Sequence, residues 1–375
     1  MGPLKGLKII ELAGIGPGPM CGMVLSDLGA TVLRIERRHK VELGAERPLK
    51  YDLLLRGRRS IALDLKNPAA VEVVLDLAGS ADAFIECFRP GVAERLGVGP
   101  EACFARNSKL VYGRITGWGQ DGPLAQAAAH DLNYIAITGG LNAIGRKGGA
   151  PAPPLRLADY GGGAMYLALG LLAGILEARK SGKGQVVDAA IVDGAASLLT
   201  SIYGLYAGGL FSLERGSNTL DSGAFYYDSY ECGDGHWVSV GAIEDRFYAE
   251  FLRVMNLDAT DLGDRKDRST WAGARVKLAR LFKTRSREDW CRRFEGADAC
   301  FAPVLTMVDA PQHKHFKARG AFVEIDGIMQ PAPTPRFSRT KPATPIPPQH
   351  PDPVEALKGW KEPAEIARLR ESNIV

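Results

Sequence analysis

Long apolar runs, paired cysteines and a strong charge imbalance are all scarce in this sequence, and each scarcity removes a class of protein. No apolar run reaches the length of a membrane span. Met1-Gly2-Pro3-Leu4-Lys5 leads into a strand-like run without the charged and apolar order of a signal peptide, and Ser372-Asn373-Ile374-Val375 is not a Ser-Lys-Leu type address. A cytosolic protein with no membrane partner is therefore expected. The six cysteines, Cys21, Cys87, Cys103, Cys232, Cys291 and Cys300, form no Cys-x-x-Cys pair. Neither a zinc cage nor a redox motif is predicted, and the thiols are expected to be free and buried. A net charge of +4 on 375 residues is too small for a nucleic-acid footprint.

What is present is ordinary globular composition, 46% hydrophobic and 24% charged, on a chain long enough for two domains. Leu7 to Leu12 reads as a buried strand, Met20 to Leu28 as a helix ending at Gly29, and Thr31 to Glu36 as a second strand. Strand-like runs at 60–64, 83–87, 110–115 and 185–189 alternate with helical stretches at 68–77, 91–96 and 165–180. This alternation predicts an α/β fold, a Rossmann-like and mostly parallel sheet covered on both faces, with a smaller α+β domain beside it. The boundaries read as 1–190 for the first part of the large domain, 191–223 for a linker helix, 224–318 for the small domain and 319–375 for a segment returning to the large one. Nine prolines between Pro331 and Pro353 predict an extended tail over the first domain or a partner subunit, ending in a helix near 364–372. No internal repeat is evident.

Gly14-Ile15-Gly16-Pro17-Gly18-Pro19 sits where a dinucleotide fingerprint would lie, with Glu36 ending the next strand. The match fails because Pro19 holds the third-glycine position and two prolines lack the N–H groups that a pyrophosphate needs. A tight turn packing helix on strand is the better reading. Basic clusters at 34–40 and 56–59 suit a phosphorylated small molecule or solvated loops. His313 and His315 lack a third ligand and His236 lies in a hairpin-like turn, so all three read as surface residues and no metal site is predicted.

His130 and Asp159 carry the chemistry. A base and an acid facing each other across a small molecule can take a proton from one face of a carbon and return it to the other. Alone, His130 reads as a helix-capping or packing residue. Its setting adds Asp131, which is placed to cap a helix through Leu132 to Ile137, so that backbone N–H groups face a developing oxyanion. Asp159 precedes the glycines 161–163 and an apolar run. It reads as a helix cap beside backbone that a ligand can approach closely. Glu244 reads as a first-turn helix acid.

Taken together, these segments resemble the α-methylacyl-CoA racemases of the family III CoA-transferase fold. The matching pieces are Glu11-Leu12-Ala13-Gly14, Arg34-Ile35-Glu36-Arg37, Leu63-Asp64-Leu65-Lys66, Phe88-Arg89-Pro90-Gly91-Val92, 116–123, 129–134, Leu157-Ala158-Asp159-Tyr160, Gly182-Lys183-Gly184-Gln185, 240–244 and Ala302-Pro303-Val304. The resemblance implies an acyl-CoA thioester with a 2-methyl branch as substrate, and no metal or redox cofactor. His130 and Asp159 are the implied acid/base pair, with Asp131 beside them and Glu244 orienting the imidazole. Arg37, Lys66 and Arg89 are implied to hold CoA, together with Leu63, Asp64, Leu65, Ala129, Leu132, Asn133 and Tyr134. It further implies a homodimer of interlocked rings, with Asp159 and Glu244 of one site on different chains. The alternative within the resemblance is a CoA-transferase that uses Asp159 as nucleophile, since those enzymes usually lack the histidine before Asp131. Asp245-Arg246 departs from a more usual Pro-Gln, and the loop 38–55 is longer than in animal relatives.

Overall fold

Residues such as Ile9, Ile10 and Leu12, all at most 1% exposed, need apolar cover on both sides, and an α/β architecture provides it. The computed structural model describes residues 2–39 and 47–375. The expectations placed on Lys40 and on the 40–46 stretch of the long loop lie outside the described residues. The chain opens β1 (Lys8–Leu12), α1 (Pro17–Asp27), β2 (Thr31–Arg37), β3 (Arg59–Leu63), α2 (Pro68–Ala78), β4 (Ala83–Glu86), α3 (Val92–Arg95), α4 (Pro100–Arg106) and β5 (Val111–Thr116). After α5 (Asp131–Ile137) and α6 (Gly140–Ala143), a π-helical segment Leu157–Ala164 runs into α7 (Met165–Ser181), followed by β6 (Gln185–Ala190). Strands β1 to β6 form one parallel sheet in the order β3-β2-β1-β4-β5-β6. The order reverses between β1 and β4, and crevices open at the carboxyl ends of the strands at such a point.

Helix α1 begins earlier than periodicity suggested, at Pro17, because proline's fixed φ suits the first helical turn and its missing N–H costs nothing there. The Gly14–Pro19 turn packs helix on strand as expected. A Cβ on Gly18 would lie 2.1 Å from Cys87 Sγ, so only glycine admits this approach.

The remaining elements are α8 (Ile191–Ser197), α9 (Thr200–Ala207), β7 (Tyr227–Glu231), β8 (Trp237–Gly241), α10 (Asp245–Met255), α11 (Trp271–Phe282), α12 (Arg287–Arg293), β9 (Phe301–Val304), α13 (Lys314–Arg319), β10 (Phe322–Ile325), β11 (Ile328–Pro331), α14 (Pro353–Leu357) and α15 (Pro363–Glu371). The chain divides into two compact units, one of Met1–Thr138, Leu155–Leu198 and Gly320–Val375, the other of Gly139–Pro154 and Leu199–Arg319. In the second unit, β7, β8 and β9 form an antiparallel sheet, and Phe251, Phe282 and Trp290 help fill its core. The 139–154 segment groups with this unit rather than with the large domain where the sequence reading put it. Arg146 pairs with the buried carboxylate of Asp228, and Arg215 donates to the carbonyls of Asn142 and Gly149 at 2.9 and 2.7 Å. The expected linker helix of 191–223 is two helices, one in each unit.

Three further expectations need correction. The π-helical segment and α7 together make 25 residues that contain an 18-residue window with a mean hydropathy of 1.4, long and apolar enough by length and composition to cross a membrane, although half of that window is buried inside the protein. Cys300 is exposed and only Cys21, Cys103 and Cys232 are fully buried, with Cys87 and Cys291 between. The basic clusters are split: Arg34, Arg56 and Arg58 are internal, whereas Arg37, Arg38 and Arg59 are exposed. Arg34 pairs with Glu11 and Glu36, Arg58 Nη1 lies 3.1 Å from Glu11 Oε2, and Arg56 holds Asp27 at 2.6 Å. These guanidiniums neutralise buried carboxylates and are not free for a phosphate.

Glu11 is completely buried between Arg34 and Arg58. Removing one partner strands the others in low dielectric. Glu11→Gln is expected to cost about 3–5 kcal/mol of unfolding free energy in urea titration; an unchanged midpoint would show that the cluster contributes nothing to stability.

Candidate active site

The long excursion between β5 and β6 carries His130, Asp131 and Asp159, so one edge of the sheet brings them together. His130 caps α5 in extended conformation, with its N–H donating to Asn133 Oδ1 at 3.0 Å and its carbonyl accepting from Asn133 N at 2.8 Å. Tyr134 is buried, stacks edge-on against Trp118 and donates its hydroxyl to the Ala129 carbonyl at 2.8 Å. Asn133 and Tyr134 thus fix the backbone on both sides of an imidazole that is itself exposed.

Asp131 reaches outward from its helix. Its Oδ1 accepts the backbone N–H of Asp159 at 2.8 Å, which ties α5 to the π-helical segment. Asp159 is not the helix cap anticipated from the glycines, because it sits inside the π-helical segment. Nor do all of those glycines face a ligand. A Cβ on Gly162 would meet Ala195 N at 2.5 Å, and one on Gly194 the Gly162 carbonyl oxygen at 1.8 Å, so α8 packs directly on this backbone.

The Asp159 carboxyl is buried, and burial followed by the Asp131 charge raises its pKa from the ordinary carboxylate value. Arg156 and His130 act in the opposite sense. Arg156 Nη1 lies 3.1 Å from Asp159 Oδ2, and a Cβ on Gly16, just before α1, would stand 3.6 Å from the same oxygen. The first-turn amides of Asp131 and Leu132 have no acceptor among the described residues, as expected at a helix start.

The residues implied for CoA fall into three groups. Arg37 ends β2 and stacks its guanidinium 5.7 Å from the Phe88 ring, which brings the carboxyl ends of β2 and β4 together across the switch point. Arg89 and Lys66 are exposed on the loops after β4 and β3. Leu63 is 2% exposed and Leu65 packs on the core, so both offer backbone rather than side chain, while the Asp64 carboxylate accepts the Lys66 N–H at 3.0 Å. Ala129 is half-buried and Leu132 exposed.

Glu244 belongs to the second unit, where it caps α10 with an exposed side chain. Arg265, which sequence reasoning missed, holds this loop by donating to the Ile243 carbonyl and pairing with Asp245, with its guanidinium over Tyr226 and Tyr248. Arg156 was missed as well, because nothing in its local pattern marks a left-handed arginine. His236 and His315 are exposed and His313 is half-buried, and among the described residues no cluster of His, Cys, Asp and Glu could hold a metal ion.

A parallel sheet in Rossmann order thus carries, on the excursion between β5 and β6, a buried acid tied to the start of a helix that opens with a histidine. The chain belongs to CoA-transferase family III, whose family model matches residues 4–355. It is 41% identical over 381 residues to the α-methylacyl-CoA racemase of Mus musculus, with 99% of this chain and 97% of that protein covered. The Homo sapiens protein of the same name is 39% identical, with 88% and 86% covered. A CAIB/BAIF family protein from Brucella suis shares the fold at a TM-score of 0.82 and 24% identity, covering 97% of this chain and 99% of that one.

If Asp131 holds the π-helical segment in place, Asp131→Ala leaves the Asp159 amide without an acceptor. Hydrogen exchange of the 157–164 peptide should then accelerate while the β1 peptide stays protected, and equal protection in both proteins would remove the tie from the account.

Proposed function

We propose that the protein is a racemase that interconverts (R)- and (S)-2-methylacyl-CoA thioesters. The observation that carries this reading is the hydrogen bond that ties the segment of the Asp159 carboxylate to the helix opened by His130, donated by the Asp159 N–H to Asp131 Oδ1. Similarity of about two residues in five to proteins named α-methylacyl-CoA racemase, across nearly the full chain in one case, supports it.

The thioester carbonyl acidifies the α-hydrogen. Ionised Asp159 takes that proton from the R substrate, the electron pair moves onto the thioester oxygen as an enolate, and the His130 imidazolium returns a proton to the opposite face. From the S substrate neutral His130 is the base and protonated Asp159 the acid. The free first-turn amides of α5 are suited to the enolate oxygen, where fixed donors act only as charge develops. Arg37, Lys66 and Arg89 hold the CoA phosphates and adenine end, with Arg preferred where planar contact is useful. Because the thioester supplies its own activation, the proposal calls on no metal or redox group. We further place the protein in the cytosol as a homodimer, in which Glu244 of the partner subunit accepts a hydrogen bond from the imidazole and orients it.

Incubating one enantiomer of a 2-methylacyl-CoA in heavy water tests this reading. Racemisation with α-deuterium incorporation and no acceptor acid is expected. Absence of exchange, together with a hydroxylamine-trappable acyl group on Asp159, would establish a transferase instead.

The raised Asp159 pKa fixes the sign of a pH effect. As base for the R substrate Asp159 must be ionised, so kcat/KM falls as pH drops through its pKa. That limb should lie above the ordinary aspartate value of about 3.9; a limb at or below it would contradict the burial argument.

A further inference from the structure

Asp159 has two oxygens, and the protein treats them differently. Oδ2 receives the guanidinium of Arg156 at 3.1 Å and faces the chain at Gly16, whereas Oδ1 has no hydrogen-bond donor among the described residues. Arg156 reaches this position from an unusual backbone. Its φ of 60° and ψ of 23° are left-handed, a conformation uncommon for a residue with a Cβ, and it stands immediately before the π-helical segment. Its carbonyl accepts the Tyr160 N–H at 3.1 Å and its guanidinium lies 5.7 Å from the centre of the Tyr160 ring. Backbone, carbonyl and side chain of Arg156 all converge on the residues around Asp159. Held strain of this kind is a reason to look for function.

We propose that Arg156 is a positioning residue for the carbon base, its guanidinium gripping Asp159 by Oδ2 so that Oδ1 is the oxygen left to exchange a proton with the substrate. This rests on the racemase reading above and adds to it a residue acting through Asp159. No bond beyond that proton transfer is made or broken, and Arg156 keeps its own protons throughout. A second consequence follows from charge. Burial and the Asp131 carboxylate from α5 make the carboxylate harder to ionise, while Arg156 and His130 make it easier. The hydroxyls of Tyr134 and Tyr160 also sense its charge. Helix α1 contributes the Gly16 backbone and α8 the backbone at Gly194 to Ala195. The Arg156 side chain is half-exposed, so its removal opens no cavity in the core.

Arg156→Gly deletes the guanidinium and suits the left-handed φ, so the variant should fold at least as well as the parent. Arg156→Lys keeps a charge but not a planar fork. Two titrations are compared in the full-length protein: the acidic limb of kcat/KM for the R substrate, and the 13Cγ resonance of Asp159 assigned with Asp159→Asn. In Arg156→Gly both midpoints are expected to rise by about one unit or more, the lower end of what a neighbouring opposite charge produces. Arg156→Lys should restore part of the difference, and KM for the thioester should change less than kcat. Unmoved midpoints in a folded and active Arg156→Gly protein overturn the proposal. A wild-type protein that exchanges no α-hydrogen but still shows the 13C shift retains the Arg156 contact and removes the racemase reading instead.

Discussion

One hydrogen bond organises the site: the Asp159 N–H donating to the Asp131 carboxylate. It joins two stretches of chain separated by 28 residues and an excursion into the second unit. It ties the start of α5, where the imidazole sits, to the π-helical segment that carries the acid, on top of the packing of both against α8. The bond also has an electrostatic consequence. A carboxylate that anchors the Asp159 backbone necessarily stands near the Asp159 side chain and raises the cost of ionising it. Structure and basicity are therefore set by the same group. An ordinary aspartate is a weak base toward carbon, and burial beside a second acid moves it in the useful direction.

The surrounding fold separates charges that hold the protein from charges left for a ligand. Arg34 and Arg58 are balanced by Glu11 and Glu36, and Arg56 by Asp27. Another buried pair, Glu86 with Arg114, lies 2.8 Å apart beside the switch point. What remains exposed at the carboxyl ends of β2, β3 and β4 is Arg37, Lys66 and Arg89. Arg38 is exposed too, but the tail engages it, since its guanidinium donates to the carbonyl and side-chain oxygen of Asn373. The C-terminal residues thus border the edge to which the CoA group is assigned, and Ile374 and Val375 pack against the same core cluster as Phe88.

Much of this was legible in the amino-acid sequence, and for physical reasons. Central strands such as β1 and β4 are buried on both faces and read as apolar runs, and with the alternating helices they located β1 to β6 within a residue or so, although β6 is half exposed. Prolines 17 and 19 ruled out a dinucleotide loop because they lack N–H groups. His130 and Asp159 stood out only when many segments matched a known pattern, since one histidine carries little information alone. The unread features are those in which distant residues decide. A π-helical turn has no sequence signature of its own, and here it is stabilised by Asp131 and by α8 packing on Gly162. Arg34 and Arg58 look like surface cations until Glu11 is placed between them. Likewise, 139–154 joins the second unit through Asp228 and Arg215, far away in the chain.

The central claim is that His130 and Asp159 act as separate bases on opposite faces of one carbon. It is tested most directly by following α-hydrogen exchange of each pure enantiomer in heavy water with single-base variants. Asp159→Ala should exchange the α-hydrogen of the S substrate but not the R. His130→Ala should do the reverse, and neither should invert configuration. Exchange of both enantiomers by either variant, or retained racemisation, would contradict a two-base site.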